Sequence, residues 1–396
     1  MTQFDHTADL HVNHTHVSFI NPASGIHTAW ESATDVFAGI CENFAANDDS
    51  EFLLVAGDVF NHGAPNAESY ERVADALKLA TASGKEVVMG HGNHELIRVR
   101  SGQRNPLTRF GDLPNVSVYD QPSVHRTKSG AQIVVVPWPS KAAVVADLNL
   151  ADFDMGDIDA VTSQRLVDYI EQAVESCNDE DPMLMLGHFT VNNIATSDKV
   201  RRGSETDISS FFSEPVAPTT ALEPFDYVAL GHIHVRQNVA HNIWYPGSPD
   251  RISFREAAAP KTFNRVTVTE SGTTVDHVDT KARQLAVVDL SEELPDLSSM
   301  EGATVRLLLP EGMTDDDALL DVFADAGINV HETKAIETDD DDEPKSVMVS
   351  DVQGMSMADQ LNAWFDNHGE DSGRDEFMAT AEAVLAEVGQ VEAERG

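Results

Sequence analysis

Glu86-Val87-Val88-Met89-Gly90-His91-Gly92-Asn93-His94-Glu95 is an apolar, partly β-branched run that breaks at glycine and then sets an amide beside an imidazole. Such a run reads as a buried strand ending in a polar loop. Asn93 offers a neutral oxygen to a hard metal, and His94 changes charge near neutral pH, so the pair can join a metal site to an acid–base group. Taken alone, a Gly-Asn-His stretch is more often only a turn. Its weight comes from four other stretches of the same construction.

Asp9-Leu10-His11 ends the first strand-like segment, and Gly57-Asp58 follows Phe52-Leu53-Leu54-Val55-Ala56. Gly187-His188 follows Met183-Leu184-Met185-Leu186, and Gly231-His232-Ile233-His234 follows Tyr227-Val228-Ala229-Leu230. Singly, Asp9 and Asp58 read as turn residues and His188 as a satisfied core histidine. His232 and His234 resist that reading, since alternate residues of an extended segment project alike and paired imidazoles bind metals. Five such coincidences at strand ends point to one site outside the carboxyl ends of strands, where open α/β sheets carry their ligands. Carboxylates, an amide oxygen and imidazoles without thiolates suit a pair of Mn²⁺ or Fe²⁺ ions, with Zn²⁺ as an alternative and Mg²⁺ less natural. Two such ions suit phosphoester hydrolysis.

The surrounding chain alternates strand-like and helix-like segments, as expected of a layered α/β domain. Strands are expected at 4–10, 51–56, 86–89, 116–119, 132–137, 182–187 and 225–231, and helices at 28–45, 67–80, 105–110 and 163–177. From Gln237 the period shifts towards two, predicting antiparallel strands at 239–245, 263–268 and 274–279 with a turn at Ser271-Gly272. A strand, helix and strand at 304–309, 316–326 and 329–336 form a small unit that must lean on a larger one. The acidic run 339–344 reads as an exposed linker. Apolar stripes on 357–368 and 375–388 predict two tail helices that pack on their own domain or dock another protein.

The 396 residues carry 67 acidic against 26 basic groups, a net charge of −41. A halophilic host or another acidic bias would each produce this excess, which argues against capture of nucleic acid by bulk electrostatics. Any DNA must be held by a local basic surface, by metals or by a partner. Cys41 and Cys177 stand far apart with no Cys-x-x-Cys spacing, which excludes a disulfide framework and a zinc ribbon. No run approaches a membrane span and the N-terminus has no signal pattern, so a cytoplasmic protein without membrane association is expected.

Asp-x-His, Gly-Asp, Gly-Asn-His, Gly-His and Gly-His-x-His in this order resemble the calcineurin-like metallophosphoesterase superfamily. Phe225-Asp226-Tyr227-Val228-Ala229-Leu230-Gly231-His232-Ile233-His234 and Tyr245-Pro246-Gly247-Ser248-Pro249-Asp250-Arg251-Ile252-Ser253-Phe254 are similar to the SbcD type of DNA repair exonuclease subunit within it. The resemblance implies an α/β, layered metallophosphoesterase fold: a β-sandwich core flanked by helices, with a small α+β capping domain and a helical C-terminal tail. It implies that Asp9, His11 and His234 hold one metal and Asn93, His188 and His232 the other, with Asp58 bridging. His94 would contact the scissile phosphate and protonate the leaving oxygen. Activity would be metal-dependent exonucleolytic and endonucleolytic cleavage of DNA, with Mn²⁺ favoured and Fe²⁺ or Zn²⁺ as alternatives. The partners implied are DNA, an SbcC-type coiled-coil ATPase bound by the tail helices, and a second copy of the chain meeting it through the helices after Asp58 and Glu95. Two departures stand out. Around its first motif the family usually has an aromatic and then Leu-Gly, where this chain has Asp9-Leu10-His11-Val12-Asn13, and Glu95 replaces the usual Asp after Gly-Asn-His.

The expected division is a nuclease domain over 1–282, a capping domain with the acidic linker over 283–345, and a helical tail over 346–396. Arg98, Arg100, Arg104 and Arg109 follow the Gly-Asn-His loop, Lys199, Arg201 and Arg202 follow His188, and Arg251, Arg255 and Lys261 follow Gly-His-x-His. A phosphate-guiding rim would draw on such residues, in particular Arg98, Arg100, Arg104, Arg201, Arg202 and Arg251. A stand-alone phosphodiesterase on nucleotides or small phosphoesters and a scaffold that recruits an ATPase are the alternative readings.

Overall fold

The computed structural model describes residues 1–99, 102–139, 155–178, 180–192 and 216–336. Arg100, Lys199, Arg201, Arg202, the acidic run 339–344 and the tail stretches 357–368 and 375–388 lie outside the described residues, as do the side chains of Arg98 and Arg104.

In chain order the first half contains β1 (Thr2–Thr7), α1 (Thr28–Ala46), β2 (Ser50–Ala56), α2 (Ala67–Thr81), β3 (Glu86–Gly90), β4 (Ile97–Val99), β5 (Gly102–Arg104), β6 (Val116–Tyr119), β7 (Ser123–Arg126) and β8 (Gln132–Val136). It continues with α3 (Met155–Glu175), β9 (Met183–His188), β10 (Thr190–Val191), β11 (Val216–Ala217), β12 (Tyr227–Gly231), β13 (Gln237–Ala240) and β14 (Ile243–Tyr245). The last described elements are β15 (Thr262–Thr269), β16 (Gly272–Asp279), β17 (Leu285–Asp289), β18 (Thr304–Leu309), α4 (Asp317–Asp325) and β19 (Asn329–Ala335).

Two six-stranded sheets dominate, with orders β16-β15-β1-β2-β3-β6 and β13-β14-β12-β9-β8-β7. Alternation along the strands explains how they pack, because successive side chains of a strand leave by opposite faces. Phe52 and Leu54 of β2 join Leu184, Leu186, Tyr227 and Ala229 in a core between the sheets. Leu53 and Val55, one residue out of step, pack on Val36, Phe37, Ile40 and Phe44 of α1 and on Val73 and Leu77 of α2. The outer face of the second sheet does the same with α3, bringing Met185, Val228 and Leu230 onto Leu166 and Ile170. The result is a helix–sheet–sheet–helix sandwich, in which a one-residue slip of β2 would exchange its two cores.

Capping follows side-chain chemistry. Asn66 accepts from the Ser69 backbone N–H at 2.8 Å to start α2, and Asp316 accepts from Leu319 at 2.9 Å to start α4. The 283–336 stretch forms a parallel sheet β17-β18-β19 backed by α4, with Val305, Leu307 and Phe323 at its centre. It rests on the main body where the Arg306 guanidinium lies 4.5 Å from the Phe254 ring and His331 meets Phe19 and Phe254.

Several expectations need correction. Residues 239–245 form two strands, β13 and β14, paired antiparallel about His241-Asn242, rather than one. The helix expected from 163 begins at Met155, and β4, β5, β7 and β17 lacked a clear sequence signal.

Candidate metal centre

In the first sheet β1, β2, β3 and β6 run parallel, and in the second β8, β9, β12 and β14 do. Parallel strands share a carboxyl end, so the loops after β1, β2, β3, β9 and β12 open onto one rim of the sandwich. All seven expected ligands sit in those loops or at the last strand residue. The loops after β1 and β2 stay paired beyond their strands, with Asp9 N–H donating to the Gly57 carbonyl at 3.1 Å and His11 N–H to that of Asp58 at 2.9 Å. Asp9, His11, Asp58 and His232 all adopt positive φ, at 55°, 46°, 50° and 95°. Non-glycine residues in such conformations cost about 1–3 kcal/mol each and persist where the surroundings hold them, commonly at functional sites. At Gly92 an added side chain would drive into the Asp58 carboxylate, so only glycine lets the β2 and β3 loops approach this closely.

The side chains converge in two sets. Ligand atoms of Asp9, His11 and His234 lie within 4.8 Å of one another, as do those of Asp58, His188 and His232. Asn93 Oδ1 joins the second set at 3.1 Å from His188 Nε2 and 3.2 Å from His232 Nδ1. Asp58 lies between them. Its Oδ1 accepts from the His94 backbone N–H at 3.0 Å, leaving Oδ2 facing the centre, 3.3 Å from His188 Nε2 and 3.7 Å from His11 Nε2. His94 donates Nδ1–H to the Asn61 carbonyl at 2.9 Å, which turns Nε2 towards Asp58 Oδ2 at 4.0 Å. His11, Asp58 and His94 form a third group of the same tightness, so His94 also reaches the centre.

The donor chemistry fits a pair of divalent cations. Asp9 is fully buried, and while Oδ1 accepts from the His232 N–H at 2.8 Å, Oδ2 has no hydrogen-bond partner among the described residues. An ionised carboxylate oxygen buried in that way is costly without a cation. His11 Nε2 and His234 Nε2 face each other at 3.0 Å, an arrangement suited to lone pairs that share an electrophile. His188 donates Nδ1–H to the Ala56 carbonyl at 2.7 Å, fixing the tautomer with Nε2 available as a ligand.

Electrostatics agrees. Burial raises the Asp9 carboxyl above its ordinary range, with His234 and His188 opposing. Burial works against charge on His188 too, but the Asp58 carboxylate outweighs it and its pKa rises to about 10. Burial would also raise Asp58, yet His188 and His94 hold it well below the usual carboxylate range. Asp58 is thus kept ionised by neighbouring imidazoles, whereas at Asp9 burial outweighs them, a penalty on the carboxylate that a bound cation would relieve.

Five further residues shape the surroundings of the centre; Glu95 reads from sequence as a substitution that leaves the ligands intact, whereas the places of Trp138, Glu256, Lys261 and Arg251 were not foreseen. Glu95, the substituted position, is fully buried and accepts from the backbone N–H groups of Gly92, Asp58 and Phe60 at 2.7, 3.2 and 2.9 Å, tying two ligand loops together. Burial and then the Asp58 charge push its carboxyl up to about 7. Trp138 lies against His188 and His232, with ring centroids 6.0 and 5.1 Å away. Glu256 accepts from His234 Nδ1 at 3.2 Å and from Lys261 Nζ at 2.8 Å. Its carboxyl stays well below the usual range: burial opposes this, but Lys261 and His234 prevail. Lys261, expected at a phosphate rim, is buried. Arg251 is also turned inward, donating to the carbonyls of Ala257, Arg283 and Ala259 at 3.1, 2.8 and 3.1 Å. Arg109 and Arg255 remain exposed.

The calcineurin-like phosphoesterase family profile matches residues 2–236. The SbcD component of the Escherichia coli K12 nuclease SbcCD is 26% identical over 226 residues, 54% of this chain and 54% of that protein. The DNA double-strand break repair protein Mre11 of Methanopyrus kandleri is 25% identical over 261 residues, 63% of this chain and 49% of that one. The chain spans about half the length of the curated relatives it matches. Among solved structures, a dimetal phosphatase from Danio rerio is similar at a TM-score of 0.40 and 12% identity, covering 70% of this chain and 97% of that one.

Proposed function

Since the chain belongs to the calcineurin-like phosphoesterase family, a family of hydrolases built around a dimetal centre, we propose that it is a two-metal DNA nuclease subunit of SbcD type. The observation that carries the reading is the pair of ligand sets with the Asp58 carboxylate between them. Asp9, His11 and His234 would hold one ion, Asn93, His188 and His232 the other, and Asp58 both. Two divalent ions held there would supply Lewis acidity and charge neutralisation at a scissile phosphate.

The chain's own residues do the rest. The Asn61 carbonyl fixes the His94 tautomer, so Nε2–H of the protonated ring can approach a phosphate at the centre and pass its proton to the leaving oxygen. Glu95 keeps Asp58 and Asn93 in register by holding the backbone of both loops. DNA as the substrate is supported by the nuclease and break-repair relatives and by the Phe225–Phe254 stretch. Exonucleolytic and endonucleolytic cleavage, Mn²⁺ as the ion, a coiled-coil ATPase partner docked on 346–396, and a homodimer belong to the same proposal. So do a nuclease domain over 1–282, a cap over 283–345 and a cytoplasmic location. Among the described residues no helix is long and apolar enough to cross a membrane. With Arg251 turned inward, the exposed Arg109 and Arg255 are the described candidates for a phosphate-guiding rim.

Purified full-length chain should degrade linear duplex DNA with Mn²⁺, and His94→Ala should lower turnover by about 10²–10⁴-fold while two Mn²⁺ still bind. Hydrolysis of a model phosphodiester with intact DNA, even beside the ATPase, would instead identify a small-phosphoester enzyme.

A further inference from the structure

Three imidazoles of the candidate centre are held in two ways. His188 and His94 donate Nδ1–H to the backbone carbonyls of Ala56 and Asn61, whereas His234 donates Nδ1–H to the Glu256 carboxylate at 3.2 Å. Glu256 lies in the single helical turn Phe254–Glu256. Besides Lys261, its Oε2 accepts from Ile252 N–H at 3.0 Å and Ser248 Oγ–H at 3.3 Å, and Lys261 also donates to Ser248 at 2.7 Å. A buried Glu–Lys pair adds little net stability, because desolvation consumes most of its attraction. Its placement behind a candidate ligand therefore calls for a different explanation. A carboxylate on one imidazole nitrogen fixes the ring's tautomer and aim and makes the other nitrogen a better donor to a metal.

The same turn carries Phe254, whose ring meets Arg306 of β18 at 4.5 Å and His331 of β19 at 6.0 Å. Arg306 is itself held by Glu332 at 2.6 Å. A continuous path thus runs from the β17-β18-β19 unit through Phe254 and Glu256 to His234. We propose that Glu256 is the positioning residue of His234, and that the β17-β18-β19 unit tunes the Asp9/His11/His234 half of the centre by clamping the turn that carries it. This rests on the two-metal reading above.

Mn²⁺ titrated into metal-free full-length protein, followed by calorimetry and electron paramagnetic resonance, tests it without reference to turnover. Wild type should bind two equivalents and give an exchange-coupled signal. Glu256→Gln should weaken one equivalent by about 10–100-fold and leave the other unchanged, so that the six-line spectrum of isolated Mn²⁺ replaces the coupled signal; Glu256→Asp should restore part of the loss. If Glu256→Gln unfolds because Lys261 is left unbalanced, Glu256→Gln with Lys261→Met removes the pair and should show the same selective loss. Arg306→Ala should weaken the same equivalent to a smaller extent. Glu256 variants that bind both equivalents as tightly as wild type would overturn the positioning role, and an Arg306→Ala protein identical to wild type would overturn the clamp. Wild type that binds no second equivalent would overturn the two-metal reading itself.

Discussion

The two halves of the candidate centre are built from similar side chains and supported by different physics. Behind Asp9, His11 and His234 stands a charged shell, with His234 on Glu256 and Glu256 on Lys261 at 2.8 Å. Against His188 and His232, among the described contacts, stand a backbone carbonyl on His188 Nδ1 and the Trp138 ring beside both imidazoles, and the carboxylate that meets His188 Nε2 is that of the shared Asp58. Charged outer partners raise the donor strength of a ligand but need further counter-charges to be buried safely. Carbonyls and aromatic walls give orientation alone and need none. One half should therefore respond to distant electrostatic change, and the other to the loss of packing.

The largest effect should erase the distinction altogether. Asp58→Asn removes the carboxylate charge that, among the described residues, lies between the sets, so both equivalents of Mn²⁺ should be lost in calorimetry and turnover should fall by more than the roughly 10²–10⁴-fold assigned to one acid–base group. Retention of one tight equivalent would show that the halves are independent. Next, Glu95→Ala orphans three buried N–H donors at about 1–3 kcal/mol each. Urea unfolding should show a loss of about 3 kcal/mol or more, with both halves weakened together because the β2 and β3 loops separate. The smallest effect belongs to Trp138→Ala, which removes ring contacts worth about 0.5–1.5 kcal/mol. It should weaken the His188/His232 equivalent by a few-fold and spare the other; an equal loss at both would contradict the contrast.

The legibility of these features in sequence follows their range. Asp9, Asp58, Asn93, His188 and His232 could be read because each closes an apolar strand, and a parallel sandwich brings such ends together with no further information. The parallel strands β1, β2, β3, β8, β9 and β12 were legible for the same reason, since buried strands are continuous apolar runs, while their arrangement as a sandwich was implied by the family resemblance. Glu256 was not, because a carboxylate that meets its imidazole 22 residues away leaves no periodicity. Lys261 and Arg251 read as surface cations because sequence gives a charge but not the direction in which its long side chain folds. The β13–β14 hairpin read as one strand because His241-Asn242 has neither the glycine nor the proline that usually marks a tight turn.

The inward turn of the basic side chains also governs how a substrate arrives. Lys261, Arg251, Arg265 and Arg283 all donate to interior carboxylates or carbonyls, and Arg265 grips the fully buried Asp5 through two bonds of 2.9 Å. Their hydrogen-bonding groups are thereby withheld from a bound phosphate, on a chain whose net charge is −41. A polyanion would meet net repulsion at long range, and attraction close to any ions held at the candidate centre and to local cations such as Arg109 and Arg255. Salt shortens the reach of the repulsion far more than it weakens direct coordination. Added salt should therefore accelerate encounter with a polyanion, the reverse of the behaviour of proteins that gather nucleic acid on a basic face.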